Sequence, residues 1–183
     1  YKLNQSIFGM FVRKEEKKDY DQVFKLIEQA FENEEYSDHR EQFLVERLRH
    51  SENFVPDLSL VFEMNGLIVG YILLTKIKIN NSTSSYDSLA LAPVAVLPNY
   101  QGNGIGGHLI EFAHQKAKEL GFESVILLGH PTYYPKFGYR KASEFDIQLP
   151  FDVPDENCMA IELVIDALKN VNGMVEYPKE FYQ

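Results

Sequence analysis

The chain has 183 residues, is 45% hydrophobic and carries a formal net charge of −9 at pH 7. A chain of this length buries one core but hardly two, so we expect a single domain over residues 1–183. The acidic balance excludes nucleic acid as a general partner, since phosphate binding needs a surplus of Lys and Arg, and the single cysteine excludes an internal disulfide.

The N-terminal part of the chain predicts a strand and two helices. Residues 6–12 (SIFGMFV) are apolar and partly aromatic or β-branched, which suits an opening strand. Asp19 with Gln22 three residues later makes a capping-box pattern, and apolar residues then recur at helical spacing. Asp38 repeats that pattern with Glu41, so we expect a second helix that ends near residue 50.

A β-hairpin is predicted over residues 58–75. The runs LSLVFEM and LIVGYILLT flank Asn65 and Gly66, and a tight type I′ turn needs two positive φ values, which these residue types tolerate. The polar patch NNSTSS predicts a loop, and residues 88–96 (SLALAPVAV) predict the next strand. Pro93 cannot donate a ladder hydrogen bond, so it marks an edge, a bulge or an interruption of that strand.

The second half of the chain alternates helix and strand patterns. From Gly104 onward, apolar residues recur on one helical face up to Leu120, and Gly121 stands where a helix stop is expected. Two further apolar runs, at 124–128 (SVILL) and 157–165 (NCMAIELVI), predict strands. The aromatic C-terminal tail is expected to dock against this α/β arrangement.

The segment LPNYQGNGIGGHL places four glycines between a strand and a helix. Such a turn presents unpaired backbone N–H groups and the positive end of the helix dipole to one point, an arrangement that binds phosphate. Gly102, Gly104 and Gly107 satisfy the dinucleotide fingerprint G-x-G-x-x-G. Gln101, Gly104 and Gly106 satisfy Q/R-x-x-G-x-G/A, the pyrophosphate loop of acetyl-CoA-dependent transferases.

The surrounding sequence argues against the dinucleotide interpretation. A dinucleotide site requires an acidic residue about 20 positions later, at the end of the next strand. Here the run SVILL ends in Gly129 and His130, and too little chain follows the glycines for the usual doubly wound sheet. A plain turn at a helix start remains the alternative without a ligand.

Together with its neighbours, this segment resembles the GNAT superfamily of N-acetyltransferases. The stretch LAPVAVLPNYQGNGIGGHLI is followed by LLGHPTYYPKFGY, a pairing typical of one bacterial subgroup of that superfamily. FVRKEEKKDYDQVFKLI near the start and GMVEY near the end are also similar to that subgroup. The resemblance therefore spans nearly the whole chain.

The resemblance implies an α/β (α+β) fold, in which helices flank a mixed, mainly antiparallel central sheet whose strands 4 and 5 splay apart. Acetyl-CoA, the acetyl donor, would lie in the cleft between those strands, and no metal is expected. The pantetheine arm would pair with backbone groups of Val94, Ala95 and Val96. The pyrophosphate would bind the loop and helix start, formed by Gln101, Gly102, Asn103, Gly104, Ile105, Gly106 and Gly107.

The resemblance also implies transfer of the acetyl group to a primary amine by direct attack in a ternary complex. A lysine-like amine, whose unperturbed pKa is near 10.4, must first lose a proton to a base or a water chain. Tyr134 occupies the position where the family commonly places a tyrosine facing the cofactor sulfur, so it is predicted as the general acid. The alternative is that Tyr133 and Tyr134 only pack against the sheet.

The residues do not single out a base. The candidates are Glu34, Glu35, Glu63 and His130, and the last of these stands where the subgroup usually has Asp. A lone turn histidine is more often structural than catalytic. Cys158 is expected to be a packing residue, because no histidine with an orienting partner lies beside it in the sequence.

The acceptor is the least defined part of the prediction. The resemblance implies that the acidic loop around Glu34 and Glu35 lines its entrance, which favours a cationic amine such as a polyamine, an aminoglycoside or the lysine side chain of a peptide. The alternative is that these glutamates are a solvated helix end. The alternative function is a catalytically silent acyl-CoA-binding module that acts as a sensor or an interaction protein. Because the sequence shows neither a signal-peptide pattern nor a membrane-spanning run, we expect a cytoplasmic protein without a membrane partner, and a homodimer stays open.

Overall fold

A computed structural model describes residues 9–183, which form three helices and nine strands joined by loops and short 3-10 turns. The predicted opening strand at 6–12 lies partly outside the described residues, and its described part begins at Met10. The helices are α1 (Tyr20–Phe31), α2 (Glu41–Leu48) and α3 (Ile105–Glu119). The strands are β1 (Met10–Lys14), β2 (Phe54–Met64), β3 (Leu67–Asn80), β4 (Ser85–Val96), β5 (Ser124–Leu128), β6 (Arg140–Lys141), β7 (Ile147–Gln148), β8 (Cys158–Glu162) and β9 (Gly173–Glu176).

The strands form a mixed sheet with the order β1-β2-β3-β4-β5-β8-β6, and β9 joins β3 to β7 beside this path. Most neighbouring strands pair antiparallel. The parallel pairs are β4 with β5 and β7 with β9. The predicted mixed, mainly antiparallel sheet flanked by helices is therefore confirmed.

Strand β3 shows why the helices lie on both faces of the sheet. Successive side chains of a strand point to opposite faces. Ile72 and Leu74 pack in one cluster with buried residues of α3, whereas Tyr71 and Leu73 pack in another with residues of α1 and α2. The continuous apolar run of β3 is thus explained by burial on both sides.

The hairpin prediction is confirmed, and the structure also decides between the three roles offered for Pro93. Asn65 and Gly66 both have positive φ values, 49° and 83°, as the tight turn requires. In the β3–β4 ladder, Ile72 pairs with Val94 but Leu74 pairs with Leu91, so β4 holds one extra residue between these pairs. Pro93, which is buried, therefore lies in a β-bulge.

The two helix-capping predictions are wrong, although both helices exist. The Asp19 carboxylate accepts hydrogen bonds from both terminal nitrogens of Arg13, at 2.7 and 2.9 Å, and from the Glu16 N–H at 2.7 Å. Asp38 accepts from the Arg40 N–H, ahead of α2, and neither helix has a side-chain cap. A forked guanidinium that reaches Asp19 from β1 outcompetes the local helix amides.

A buried polar network links the end of α2 to the sheet. The Glu15 carboxylate accepts hydrogen bonds from Arg49, at 2.7 and 3.1 Å, and from the Ser59 hydroxyl at 2.9 Å. The Ser59 hydroxyl in turn lies 2.7 Å from the Tyr71 hydroxyl oxygen. Because each buried charge has its partners, the network holds the end of α2 at one position on the sheet.

The C-terminal part of the chain closes the far end of the sheet. Strand β8 ends at Glu162, earlier than the predicted run to residue 165, and Ile165 is exposed. The tail docks as expected, since β9 pairs with Lys78–Asn80 of β3 and the Glu180 carbonyl accepts a hydrogen bond from Arg47. Within residues 9–183, none of the helices combines the length and the apolar character needed to cross a bilayer.

Candidate active site

The sheet opens between β4 and β5. These parallel strands pair only at Leu89 with Val125 and at Ala90 with Ile126. Strand β4 then continues to Val96, whereas the rest of β5 pairs with β8 on its other side. The two strands therefore diverge beyond the pair, and the splayed arrangement expected for strands 4 and 5 is confirmed.

The open edge of β4 offers backbone groups to a ligand. The Leu97 N–H donates to the Val69 carbonyl of β3, and alternation along an antiparallel ladder then turns the peptide groups of Val94 and Val96 away from β3. The Val96 carbonyl accordingly accepts a hydrogen bond from the Gln101 side chain at 3.0 Å. By the same alternation, the groups of Ala95 face β3, in contrast to the prediction for this residue. The groups directed outward for strand-like pairing are therefore the N–H and carbonyl of Val94 and the N–H of Val96, since Gln101 occupies the Val96 carbonyl.

The loop after β4 ends in a helix start that has no side-chain cap. Gly102 and Gly104 have φ values of 80° and 79°, in the left-handed region that favours glycine. The first hydrogen bond of α3 runs from the His108 N–H to the Gly104 carbonyl. The amides of residues 105–107 therefore have no partner within the helix, and they coincide with the positive end of its dipole.

This loop has room for an anion. A β-carbon added at Gly102 or Gly104 would meet no protein atom within 4 Å, so packing within the protein does not explain these glycines. Gln101 to Gly104 are exposed, and the Asn103 side chain donates back to the Tyr100 carbonyl at 3.1 Å. Free amides, open space and a helix dipole together form an arrangement that can receive a phosphate group.

The next two glycines serve a different purpose. A β-carbon at Gly106 would lie 3.1 Å from the Tyr133 hydroxyl oxygen, and one at Gly107 would lie 3.2 Å from the Phe137 ring. The start of α3 therefore packs closely against the turn that contains Tyr134. Gly107 fits the dinucleotide fingerprint only by coincidence, because its small size accommodates Phe137.

Tyr134 lies in a tight aromatic socket at the start of a 3-10 turn. Its ring makes edge contacts with the rings of Tyr133 and Tyr139, whose centroids lie 5.0 and 5.8 Å away. A β-carbon at Gly129 would come within 2.2 Å of the Tyr134 ring, so only glycine leaves room for it. Burial raises the pKa of Tyr134 above its usual value of 10.0, which keeps its hydroxyl protonated and able to donate at neutral pH.

The Tyr139 ring, which contacts Tyr134, is itself held by a half-buried histidine of α3. The Tyr139 hydroxyl oxygen lies 2.7 Å from Nε2 of His114 on α3. Burial lowers the pKa of His114 to about 4 and raises the pKa of Tyr139 well above 10.0, so both groups are neutral at pH 7. One hydrogen bond therefore joins two neutral groups, and its direction depends on which imidazole nitrogen carries the proton.

The base candidates occupy three different environments. Nε2 of His130 and a carboxylate oxygen of Glu34 lie 3.9 Å apart, which brings the turn before Tyr134 next to the loop between α1 and α2. Glu35 is exposed in that same loop. Glu63 lies elsewhere, because its carboxylate accepts a hydrogen bond from Arg13 at 3.1 Å.

Cys158 lies in β8 as a buried packing residue. It belongs to a hydrophobic cluster of the C-terminal part, and burial raises the pKa of its thiol above the usual 9.0. A protonated buried thiol is a poor nucleophile. Across residues 9–183 no group of three or more His, Cys, Asp or Glu side chains is placed to hold a metal ion.

Sequence reasoning did not find Gly129, His114 and Tyr139 as neighbours of Tyr134. Tyr139 follows Gly138 in the segment YYPKFGY, but the sequence does not show that this tyrosine is buried. His114 sits beside the predicted apolar face of α3, where a histidine carries no distinct signal. The roles of Gly129 and His114 become visible only when the strand, the turn and the helix are brought together.

Residues 12–142 match a family model described as an acetyltransferase (GNAT) domain. The uncharacterized N-acetyltransferase YjhQ of Escherichia coli K12 is 37% identical over 119 residues, which are 64% of this chain and 66% of the relative. The chain thus spans just under two thirds of that relative's length.

Two solved structures are similar over almost the full length. The GNAT family N-acetyltransferase YhbS from Escherichia coli, crystallised with CoA, has a TM-score of 0.86 at 26% identity, with 98% of this chain and 95% of that chain covered. A GNAT family acetyltransferase from Brucella melitensis, crystallised with acetyl-CoA, has a TM-score of 0.78 at 28% identity, with 96% and 99% covered.

Proposed function

The chain belongs to the GNAT family of acetyltransferases, and from that premise we propose that it transfers an acetyl group from acetyl-CoA to a primary amine by direct attack within a ternary complex. One observation carries the proposal. The edge of β4 that turns away from β3 leads through residues 97–104 to the uncapped start of α3, and the turn that carries the buried Tyr134 packs against that helix start. The two similar structures with CoA and acetyl-CoA support the choice of donor.

The proposed donor site uses backbone groups almost throughout. Val94 and Val96 are suited to pair with the pantetheine amides as a missing strand would. The amides from Gln101 to Gly107 are suited to receive the pyrophosphate, and the positive φ of Gly102 and Gly104 turns the backbone toward it. Side-chain atoms would obstruct the approach of the pyrophosphate to these amides, which accounts for Gly102 and Gly104.

Acetyl-CoA supplies a thioester whose carbonyl carbon the amine attacks. In the proposed mechanism the backbone N–H at Val94 donates to the carbonyl oxygen as negative charge develops there. The C–N bond forms while the C–S bond breaks, and the Tyr134 hydroxyl donates its proton to the departing thiolate. The raised pKa of Tyr134 supports the donor role, because the hydroxyl enters the reaction protonated.

The acceptor is proposed to be a cationic amine, either a small molecule or the lysine side chain of a peptide. Glu34 and Glu35 lie exposed in the loop between α1 and α2. The contact between Glu34 and His130 brings this loop next to the turn of Tyr134. Carboxylates at the mouth of the cleft would attract a protonated amine, at a strength that falls with added salt.

We also propose that one acetyltransferase domain extends beyond the family match at 12–142. Strand β8 pairs with β5 along its whole length, and β9 pairs with β3, so the C-terminal strands complete the same sheet. Removing them would expose one edge of β5 at the base of the cleft.

Release of free thiol from acetyl-CoA, measured with a panel of amines, tests the function. We expect release that depends on the amine and is fastest for cationic primary amines. Tight CoA binding without amine-dependent release of thiol would instead favour the alternative function, a catalytically silent acyl-CoA-binding module. Calorimetry with CoA and with NAD checks the cofactor, and tighter binding of NAD would contradict the proposed site.

A further inference from the structure

We propose that His130, paired with Glu34, accepts the proton of the acceptor amine. This inference rests on the proposed function. Nε2 of His130 lies 3.9 Å from a carboxylate oxygen of Glu34, although the two residues come from segments far apart in the chain. Their contact joins the loop between α1 and α2 to the turn that carries Tyr134.

The backbone around His130 is well anchored. Its carbonyl accepts a hydrogen bond from the Tyr133 N–H at 3.2 Å. The preceding Gly129 donates to the Asn157 carbonyl at 2.9 Å and accepts from the Asn157 side chain at 3.0 Å. His130 and Tyr134 therefore begin and end one short, anchored turn, so the proposed base and the proposed acid come from the same segment of the chain.

The loop that carries Glu34 is also held in place. The Glu34 N–H donates to the Phe31 carbonyl at 3.1 Å, and the Glu34 carbonyl accepts from the Ser37 N–H at 3.3 Å. Nδ1 of His39 lies 2.8 Å from the same Phe31 carbonyl, at the end of α1. Glu34 thus faces His130 from a closed turn.

The chemistry of the pair suits proton transfer from an amine. Imidazole is the side chain that changes charge between about pH 5 and 8. In the tautomer that carries its proton on Nε2, the nitrogen nearer to Glu34, Nδ1 of His130 can accept, and in the proposed step the proton passes from the ammonium nitrogen to Nδ1, which leaves a neutral amine. The side chain of His130 is 64% exposed and that of Glu34 is 49% exposed, so an entering acceptor can reach both.

The other histidines contact other groups or lie on other elements. Nδ1 of His39 contacts a backbone carbonyl, Nε2 of His114 binds Tyr139, and the ring of His108 packs against Phe62. His50 follows α2, on a different element from the turn of Tyr134. Within the described part of the chain, Glu34 is the charged side chain that pairs with the ring of His130, and Tyr133, Tyr134 and Lys136 are the titratable groups of the turn that follows it.

The test is the pH profile of kcat/KM for a cationic amine, measured from pH 5.5 to 8.5 on the full chain. The unaltered protein should show a limb that rises with pH, and His130→Gln should remove that limb and lower kcat/KM at pH 7 by about 100-fold. The KM for acetyl-CoA should stay unchanged. Glu34→Gln should keep the limb and lower kcat/KM by no more than about fivefold, because an exposed ion pair is worth little.

Two controls separate a proton acceptor from a structural role. His50→Gln removes an exposed histidine outside the cleft and should leave the profile unchanged. An aromatic amine, which is already neutral at pH 7, should be acetylated by His130→Gln nearly as fast as by the unaltered protein.

A rising limb that persists in His130→Gln, or an equal loss with the cationic and the aromatic amine, would overturn the proposal. Failure of the proposed function looks different, because the unaltered protein would then release no thiol with any amine.

Discussion

The two sides of the cleft are built from different kinds of atoms. The side formed by β4 and the start of α3 presents backbone groups and glycines, with no side-chain cap on the helix. The other side, formed by the turn of Tyr134, which packs against the start of α3, and by the loop between α1 and α2, presents a phenol, an imidazole and carboxylates. The first side suits a cofactor of fixed structure, whereas the second provides the groups that move protons and select the acceptor.

This difference explains why one side is readable from sequence and the other is not. The donor side uses one segment, in which Gly102 and Gly104 leave open space and Gly106 allows close packing, so the pattern of Gln101, Gly104 and Gly106 is visible in a single line of sequence. Side-chain chemistry depends on contacts between distant segments, such as that between Glu34 and His130.

The largest effect is expected from Tyr134→Phe, on the side of the cleft that presents side-chain groups. Loss of the hydroxyl removes the proton donor for the thiolate, so kcat should fall by about 100-fold to 10,000-fold. The dissociation constant for CoA should change little, because the ring keeps its contacts with Tyr133 and Tyr139. Steady-state kinetics and calorimetry measure the two quantities, and an unchanged kcat would remove Tyr134 from the acid role.

The next effect concerns stability at low pH. Burial lowers the pKa of His114 to about 4, while an unfolded histidine titrates near 6.5. As the pH falls, the unfolded state binds the proton first, so stability is lost between about pH 6.5 and 4, by up to about 3 kcal/mol.

Urea unfolding at pH 7 and pH 4.5 checks this expectation. His114→Gln does not titrate, and its amide can donate to or accept from the Tyr139 hydroxyl, so it should lose less stability between the two pH values. Equal losses in both proteins would show that His114 titrates normally in the fold.

Gly129→Ala should displace Tyr134, the proposed acid, without changing the side formed by β4 and the start of α3. The added methyl would lie 2.2 Å from the Tyr134 ring, so the ring must move. We expect kcat to fall by about 10-fold to 100-fold, since a displacement of about 1 Å can cost that much. The affinity for CoA should remain within about twofold, and a larger loss of CoA binding than of kcat would contradict the division between the two sides.

The smallest effect is expected from Gly104→Ala, on the side of the cleft that presents backbone groups. A β-carbon in the left-handed region costs about 1 to 2 kcal/mol, so the loop should shift and CoA should bind about tenfold more weakly. Gly121→Ala is the matched control, because Gly121 also has positive φ, at 93°, but follows the other end of α3. If both variants weakened CoA binding equally, the effect would come from the stability of α3.

The sequence predicted those elements whose signals are local. The Asn65-Gly66 turn and the run SVILL at 124–128 are confirmed at their predicted positions, because turn chemistry and buried apolar runs act within a few residues. The Asp19 cap is wrong because Arg13, on another element, binds that carboxylate. The network of Glu15 and Arg49 was not predicted, since its partners lie on separate elements.

The candidate site divides in the same way. The residues named for the donor site and Tyr134 remain predictions for binding and catalysis, as do the cytoplasmic location and a homodimer. The structure adds physical reasons for some of them, such as the open space at Gly102 and Gly104. It also adds Gly129, whose need for a small side chain depends on a ring five residues later that folds back against it.

A crystal structure of this chain with acetyl-CoA would test the central claim most directly. We predict pyrophosphate oxygens within about 3.2 Å of amide nitrogens between Gly102 and Gly107, and the Tyr134 hydroxyl within about 4 Å of the thioester sulfur. The account would be contradicted if the pyrophosphate bound away from the start of α3, or if the sulfur lay out of reach of Tyr134.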